Sequence, residues 1–461
     1  MLLIEELLKR FSSFMWGTPL LTLLLGGGLF FMIYSRFLPY RLFPHAISIL
    51  LGKYDKPDDK GEINHYEALS SSIAATVGMG NIGGVAIAIA TGGPGAIFWM
   101  WVCAFLGIAT KFFTCTLSVM YRRTLPNGHV EGGPMYIITE GLGKKWKPLA
   151  LLFAVAGLMG TWPIYQSNQL TQLIRDLVIL PNGSFAQDEL LYINLGIGLM
   201  IATMAATVIL GGLERIAKVA GKLVPFMVLL YLCLGLMVLI ENYNLVGSTF
   251  SLIFKDAFDA EAVLGGSLGA IIIIGAQRAA FSNEAGIGTA PMMHGDAKTN
   301  EPLQEGLVAM IGPFIDTIVI CTITALIIII TGVWSESSAN GVTLTAHAFN
   351  KAFPVMGSAA LIICVLVFSL STIFTFSYYG TKCFAFIFGD KYKHYYNYFY
   401  LVAIVLGSVF SLGAVINLID GSYALMAIPT IISSVLLAPK VKAHMLDYYH
   451  RYKSGEIKKH T

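Results

Sequence analysis

Charge is what this chain has least of. Only 12% of its 461 residues are Asp, Glu, Lys or Arg, about half the share of an ordinary soluble domain. Hydrophobic residues make up 56%, and the mean hydropathy is +0.71. That is too much apolar surface for too little polar cover, which excludes an ordinary soluble enzyme and a disordered chain. Neither sign of charge dominates: 30 basic residues face 27 acidic ones, a net +3, so no basic field points to nucleic acid. The six cysteines (Cys103, Cys115, Cys233, Cys321, Cys364, Cys383) lie in or beside apolar runs and form no C-x-x-C pair. A disulfide framework and a zinc site are thereby disfavoured, and no cofactor is expected. An intramembrane enzyme would need paired acids, H-E-x-x-H or a nucleophile with its base. The nine histidines, among them His65, His129, His294 and His347, fall in loops or at span edges without such spacing. What remains is an all-α polytopic membrane protein with the lipid bilayer as its solvent.

A span needs about 20 mostly apolar residues. Eleven such runs occur, near 16–36, 67–91, 94–120, 148–175, 190–210, 218–240, 262–281, 303–332, 356–381, 396–417 and 420–438. The first is a leading helix and the others are core spans one to ten. Lys9 and Arg10 precede the leading run as in a signal peptide, but it continues through Tyr34 without a small-residue cleavage site, so it is read as retained. With the C-terminus inside, 24 Lys and Arg fall on the inner side and five on the outer. The positive-inside rule then predicts a cell-membrane protein with a cytoplasmic C-terminus and, for an odd span count, an external N-terminus. Trp16, Trp99, Trp101, Trp146 and Trp334 lie near span ends, as interfacial tryptophans do.

Eleven spans divide as one plus five plus five, with the two halves (67–240 and 262–438) running in opposite directions and a cytoplasmic tail at 439–461. The parity permits an inverted repeat, though the halves share little residue identity. No separate soluble domain is expected, since the stretches 37–65 and 121–147 are short loops.

Core span one contains Thr76-Val77-Gly78-Met79-Gly80-Asn81-Ile82-Gly83-Gly84. Glycine costs a continuous helix roughly 1 kcal/mol per residue against alanine, and unwound backbone at membrane depth survives only buried or beside a wet cavity. A break there frees N–H groups that favour a carboxylate and C=O groups that hold a cation. The alternative is tight helix packing through small residues; the polar Thr76 and Asn81 favour the break. Core span eight carries five hydroxyls, Ser369, Ser371, Thr372, Thr375 and Ser377. Sodium is a hard cation that wants oxygen ligands, while a lone hydroxyl more commonly bonds back to the preceding turn.

Other polar groups at depth have two readings each. Trp162 and Gln166, four apart after Gly160 and before or after Pro163, share a helix face and either wall a small pocket or pack between helices. Gln277 is the pocket candidate of core span six, whose Arg278 and Glu284 read as an inner gate or a structural pair. Asp316 in span seven and Lys111 in span two are costly at depth. A structural role is preferred for both over direct ion coupling, with Lys111 snorkelling inward.

The string Gly92-Gly93-Pro94-Gly95-Ala96-Ile97-Phe98-Trp99 through Gly107 resembles the signature of the sodium:alanine (alanine or glycine:cation) symporter family. Residues 74–85, Glu131-Gly132-Gly133-Pro134-Met135-Tyr136, residues 281–291 and Pro313-Phe314-Ile315-Asp316-Thr317 resemble further segments of it, over nearly the whole chain. The resemblance implies the amino acid–polyamine–cation transporter group, with a five-plus-five inverted repeat and discontinuous first and sixth core helices. Within that group, Val77-Gly78-Met79-Gly80-Asn81 is similar to a stretch of the sodium-coupled neurotransmitter transporters. Carried over, the amides of Met79 and Gly80 receive a substrate carboxylate, and the carbonyls of Ala74 and Val77 face sodium. Thr76 and Asn81 lie beside the substrate or a second ion, and Ser371 with Thr372 completes the sodium site. Family members tend to carry an acid where this chain has Thr114, which leaves the partner of Lys111 open. The implied function is import of a small neutral amino acid, alanine or glycine, driven by sodium. The alternatives are a proton-coupled or exchange carrier on the same scaffold, or a passive channel.

Overall fold

A computed structural model describes residues 2–56, 58–124, 128–183, 185–258, 267–336, 339–354, 356–457 and 459. They form a helical membrane bundle around one large apolar core, with a small separate cluster of Cys115, Ala290 and Ala309. The chain opens with α1 (Leu2–Met15) and α2 (Thr18–Tyr34), bent by 46°. Core span one becomes α3 (His65–Thr76) and α4 (Val85–Gly92), separated by a wide turn over Gly80–Gly84 and bent by 49°. Asn64 starts α3 with a reciprocal cap: its side chain accepts from the Glu67 amide while Glu67 accepts from its own, satisfying two orphan donors. There follow α5 (Gly95–Met120), α6 (Lys147–Gly160), α7 (Ile164–Ile174), α8 (Gln187–Ile209) and α9 (Gly212–Glu241). The α6–α7 kink falls at Pro163, where the Gly-Pro pattern predicts it.

The second half holds α10 (Ser267–Asn283), α11 (Thr289–His294), α12 (Pro302–Ile330), α13 (Gly357–Phe388), α14 (Lys393–Val409) and α15 (Leu412–Lys453). Between α10 and α11 the chain passes through left-handed backbone at Glu284 (φ 54°), Gly286 (φ 86°) and Gly288 (φ 105°), so core span six is interrupted as well. A two-stranded antiparallel ribbon, β1 (Arg123–Thr124) with β2 (Val130–Glu131), decorates the loop after α5. Seven of the described helices are long and apolar enough to cross a membrane, or nine with the two bent pairs.

Several boundaries differ from the hydropathy reading. The leading run is preceded by a separate helix, and Trp16 sits buried at the bend, its indole N–H donating to the Asp420 carbonyl at 2.9 Å rather than anchoring at an interface. The run at 396–417 is two helices: Phe410 is extended and Ser411 caps α15. The tenth span therefore starts at Leu412 instead of 420, and helix continues to Lys453 through most of the expected tail. Hydropathy averages over a turn made of apolar residues and does not register a single capping serine. The span at 262–281 is described from Ser267 on, and its first residues lie outside the described ones.

The end of the bundle carrying the C-terminal tail is laced with polar contacts. Arg122 donates to the carbonyls of Ala297 (2.8 Å), Thr299 (2.7 Å) and Lys60 (3.0 Å). Lys382 of α13 pairs with the buried Asp296 at 2.6 Å, which also accepts from Tyr378 at 2.6 Å. All but the Arg122–Lys60 bond tie the loop after α11 to another element.

Candidate functional site: the break in the first core span

Helix α3 stops because Val77 turns extended (ψ 93°) and Gly78 follows it. The side-chain oxygen of Asn81 then accepts from the Gly78 amide at 2.8 Å, closing the unwound segment on itself. On one flank lies α13. The Thr372 hydroxyl is 3.0 Å from the Ala74 carbonyl, one of the groups freed where α3 ends, and 3.1 Å from Phe368 O. Ser371 bonds back to Phe368 O at 2.9 Å. A Cβ on Gly78 would collide with the Thr372 Oγ1 atom, so glycine is what lets the two chains approach so closely. The structure thus joins Thr372 to Ala74, whereas the Ser371 hydroxyl lies 3.6 Å from Met227 Sδ; Ala74, Val77, Ser371 and Thr372 are all buried.

On the other flank lies α12. The Asn81 amide nitrogen donates to Asp316 Oδ1 at 2.7 Å and lies 3.1 Å from the Asp316 carbonyl. Ser282 (2.7 Å) and Thr317 (2.6 Å) both donate to Asp316 Oδ2. One wholly buried carboxylate therefore joins the unwound segment to the end of α10 and to α12. Buried charge is stable only when hydrogen-bonded or paired, and here three donors share that work.

Other expected residues land differently. The Thr76 hydroxyl turns back to Ser72 O at 3.1 Å, the commoner fate of a helical hydroxyl. Met79 and Gly80 are buried, and Phe281 and Ser282 would meet a Cβ on Gly80 at 3.2 Å. Trp162 turns toward Phe399 of α14, with ring centroids 5.5 Å apart. Tyr165 instead reaches toward the break, edge-on to Phe281 at 4.7 Å. Gln166 is buried, with its amide oxygen unpartnered among the described residues.

Gln277 donates to Asp420 at 2.7 Å, and Arg278 pairs with the same carboxylate. Arg278 is therefore paired not with Glu284 but with Asp420 on α15, whose carbonyl accepts from Trp16. Glu284 accepts from Thr289 and, at 3.0 Å, from Tyr423. Lys111 is 1% exposed and does not snorkel. Its ammonium has no hydrogen-bond acceptor among the described residues, and the acids around it are Glu284 and Asp316. Sequence reasoning missed Asp420, Tyr165 and Tyr423. Asp420 sits at the first position of a hydropathy run and, like the two tyrosines, carries no motif.

Two cavities open toward the bundle ends. One of about 420 Å³ on the tail side is lined by Glu62, Glu131, Ser377, Tyr378, Lys382 and His394 among others. Ser377 lies on α13 little more than one turn from Thr372. The other, about 400 Å³, is lined by Asn168, Gln172, Arg175, Asn194, Phe410 and Ser411 among others.

Two interrupted spans meeting at a buried polar centre define a multi-pass membrane transporter of the broken-helix kind. The chain belongs to the sodium:alanine symporter family, whose profile matches residues 1–461. It is 39% identical over 438 residues to the sodium/alanine symporter AgcS of Methanococcus maripaludis, covering 94% of each chain. It is 34% identical over 457 residues to the probable sodium/glutamine symporter GlnT of Bacillus subtilis, covering 98% of this chain and 92% of that one. Among solved structures it is similar in fold to MhsT in complex with L-phenylalanine. That match has a TM-score of 0.58 and 12% identity, and covers 84% of this chain and 99% of that one. The protein is accordingly a secondary transporter of small molecules, in a family of sodium-coupled amino acid transport.

Proposed function

We propose that this protein imports a small neutral amino acid, alanine or glycine, coupled to the inward sodium gradient by alternating access. The observation that carries the reading is the Thr372 hydroxyl at 3.0 Å from the carbonyl of Ala74, where α3 ends. Hydroxyl and carbonyl oxygens suit sodium without a full negative charge, and in this reading Val77 O and Ser371 complete the set. The substrate carboxylate then rests on the amides of Met79 and Gly80 at the start of the second half-helix, where the dipole is favourable. The close approach of Phe281 and Ser282 to Gly80 favours a small side chain. The Methanococcus maripaludis relative, a sodium/alanine symporter, supports the same substrate class.

In this reading residues 67–240 and 262–438 are two five-span inverted repeats, with the N-terminus outside and the C-terminus cytoplasmic. One helix group rocks against the other around a site near the midplane. Because coupling is reciprocal, sodium and amino acid each raise the other's affinity. The test is uptake of radiolabelled alanine, glycine, serine and glutamine into proteoliposomes. Accumulation above the external concentration should collapse when choline replaces sodium. Undiminished uptake without sodium would establish the proton-coupled or exchange carrier instead, and uptake that only equilibrates would establish a channel.

A further inference from the structure

Away from the break, near the tail side, three buried ionisable groups form a cluster that the transport reading does not use. His65 is the first residue of α3, His294 the last of α11, and Glu305 lies in the first turns of α12. All three are at most 1% exposed. The Nδ1 atoms of the two histidines bind different oxygens of the one carboxylate: His65 takes Oε2, and His294 takes Oε1 at 2.5 Å. Both Nε2 atoms are buried without a hydrogen-bond partner among the described residues. The Oδ1 atom of Asp55 lies 3.9 Å from His65 Nε2.

The proton inventory follows from this geometry. A carboxylate accepting two bonds requires a hydrogen on each Nδ1. If both rings are neutral, the cluster carries a full negative charge in a dry site and buries two bare nitrogen lone pairs. One further proton, on an Nε2 atom, makes the cluster neutral and aims a donor toward Asp55. A second would leave it positive. Burial thus selects the state holding one extra proton. The other titratable groups facing the cluster are Asp59, Arg122 and Cys115.

We propose that His65, Glu305 and His294 form a proton-binding site that clasps the tail-side halves of both interrupted spans to α12, and that losing its proton releases them. The ligand is a hydronium-derived proton, and the clasp closes as pH falls. The closed state holds one proton more than the open state, so its advantage is lost as pH rises through the closed-state titration. This goes beyond the transport reading, because it needs neither sodium nor an amino acid.

The test is amide hydrogen exchange on the full chain in lipid nanodiscs between pH 6 and 9, corrected for intrinsic rates. The opening constant of segments 65–76 and 289–294 should climb by up to about tenfold per pH unit, the limit for one linked proton. Glu305→Gln should flatten that slope. If it does not fold, the pair His65→Gln with His294→Gln should flatten it equally. A flat profile in the unmodified protein, or an unchanged slope in either variant, overturns the proposal. Sodium-dependent uptake is not involved in the readout, so either reading can fail without the other.

Discussion

Gly78 and Thr372 offer the sharpest test of the break. An alanine at 78 would drive its methyl into Thr372 Oγ1, whereas the Thr372 Cβ would lie 3.5 Å away, an ordinary contact. Overpacking of this kind costs about 1–3 kcal/mol. Displacing the hydroxyl also loses its bond to Ala74 O, a further ~1 kcal/mol. Gly78→Ala should therefore shift the folding equilibrium by roughly 2–4 kcal/mol, and Thr372→Ala alone by about 1 kcal/mol. The double variant removes the clashing oxygen while keeping Cβ, so it should be more stable than the sum of its parts by at least ~1 kcal/mol. Thr372→Ser retains the oxygen and should give no rescue. The assay is denaturation of the purified protein, with the sodium dependence of uptake measured in parallel. Strict additivity of the two alanine substitutions would mean that α3 and α13 do not touch here, and the sodium site built on their contact would go with it.

Asp420→Asn leaves the 4% exposed Arg278 without its counter-charge. Breaking such a pair costs about 3–5 kcal/mol, so the folded yield should fall sharply, and Arg278→Met combined with Asp420→Leu should recover part of it. A fully stable Asp420→Asn protein would show that water reaches the pair. Asp316→Asn keeps an oxygen for Asn81 but loses an acceptor shared by Ser282 and Thr317. With bonds to charged groups at about 1.5–3 kcal/mol, sodium-driven uptake should drop by an order of magnitude or more while the protein remains in the membrane. Unaltered uptake would reduce Asp316 to a packing group.

The local signals were strong where chemistry is local. Glycines around Asn81 announced the break, and Gly160 with Pro163 announced the kink in core span three. Sequence patterning also grouped the hydroxyls of α13, but five candidates could not be ranked from it. The family resemblance narrows them to Ser371 and Thr372, and the register between α13 and α3 then sets Thr372 rather than Ser371 against Ala74. Trp162 and Gln166 illustrate the converse: helical spacing gives them a common face, yet it does not say which neighbour that face meets, and Trp162 meets α14.

The amino-acid sequence by itself determined that the chain must live in lipid, roughly where it crosses, and where its first core helix cannot stay wound. These follow from hydropathy and backbone propensity, which act over a few neighbouring residues. Tertiary structure decided the partners: Asp316 with Asn81, Arg278 with Asp420, Glu305 between two histidines. Those pairs lie between 11 and 240 residues apart in sequence. A buried charge is satisfied by whichever group the packed helices bring within about 3 Å, and no property of either residue alone names the other.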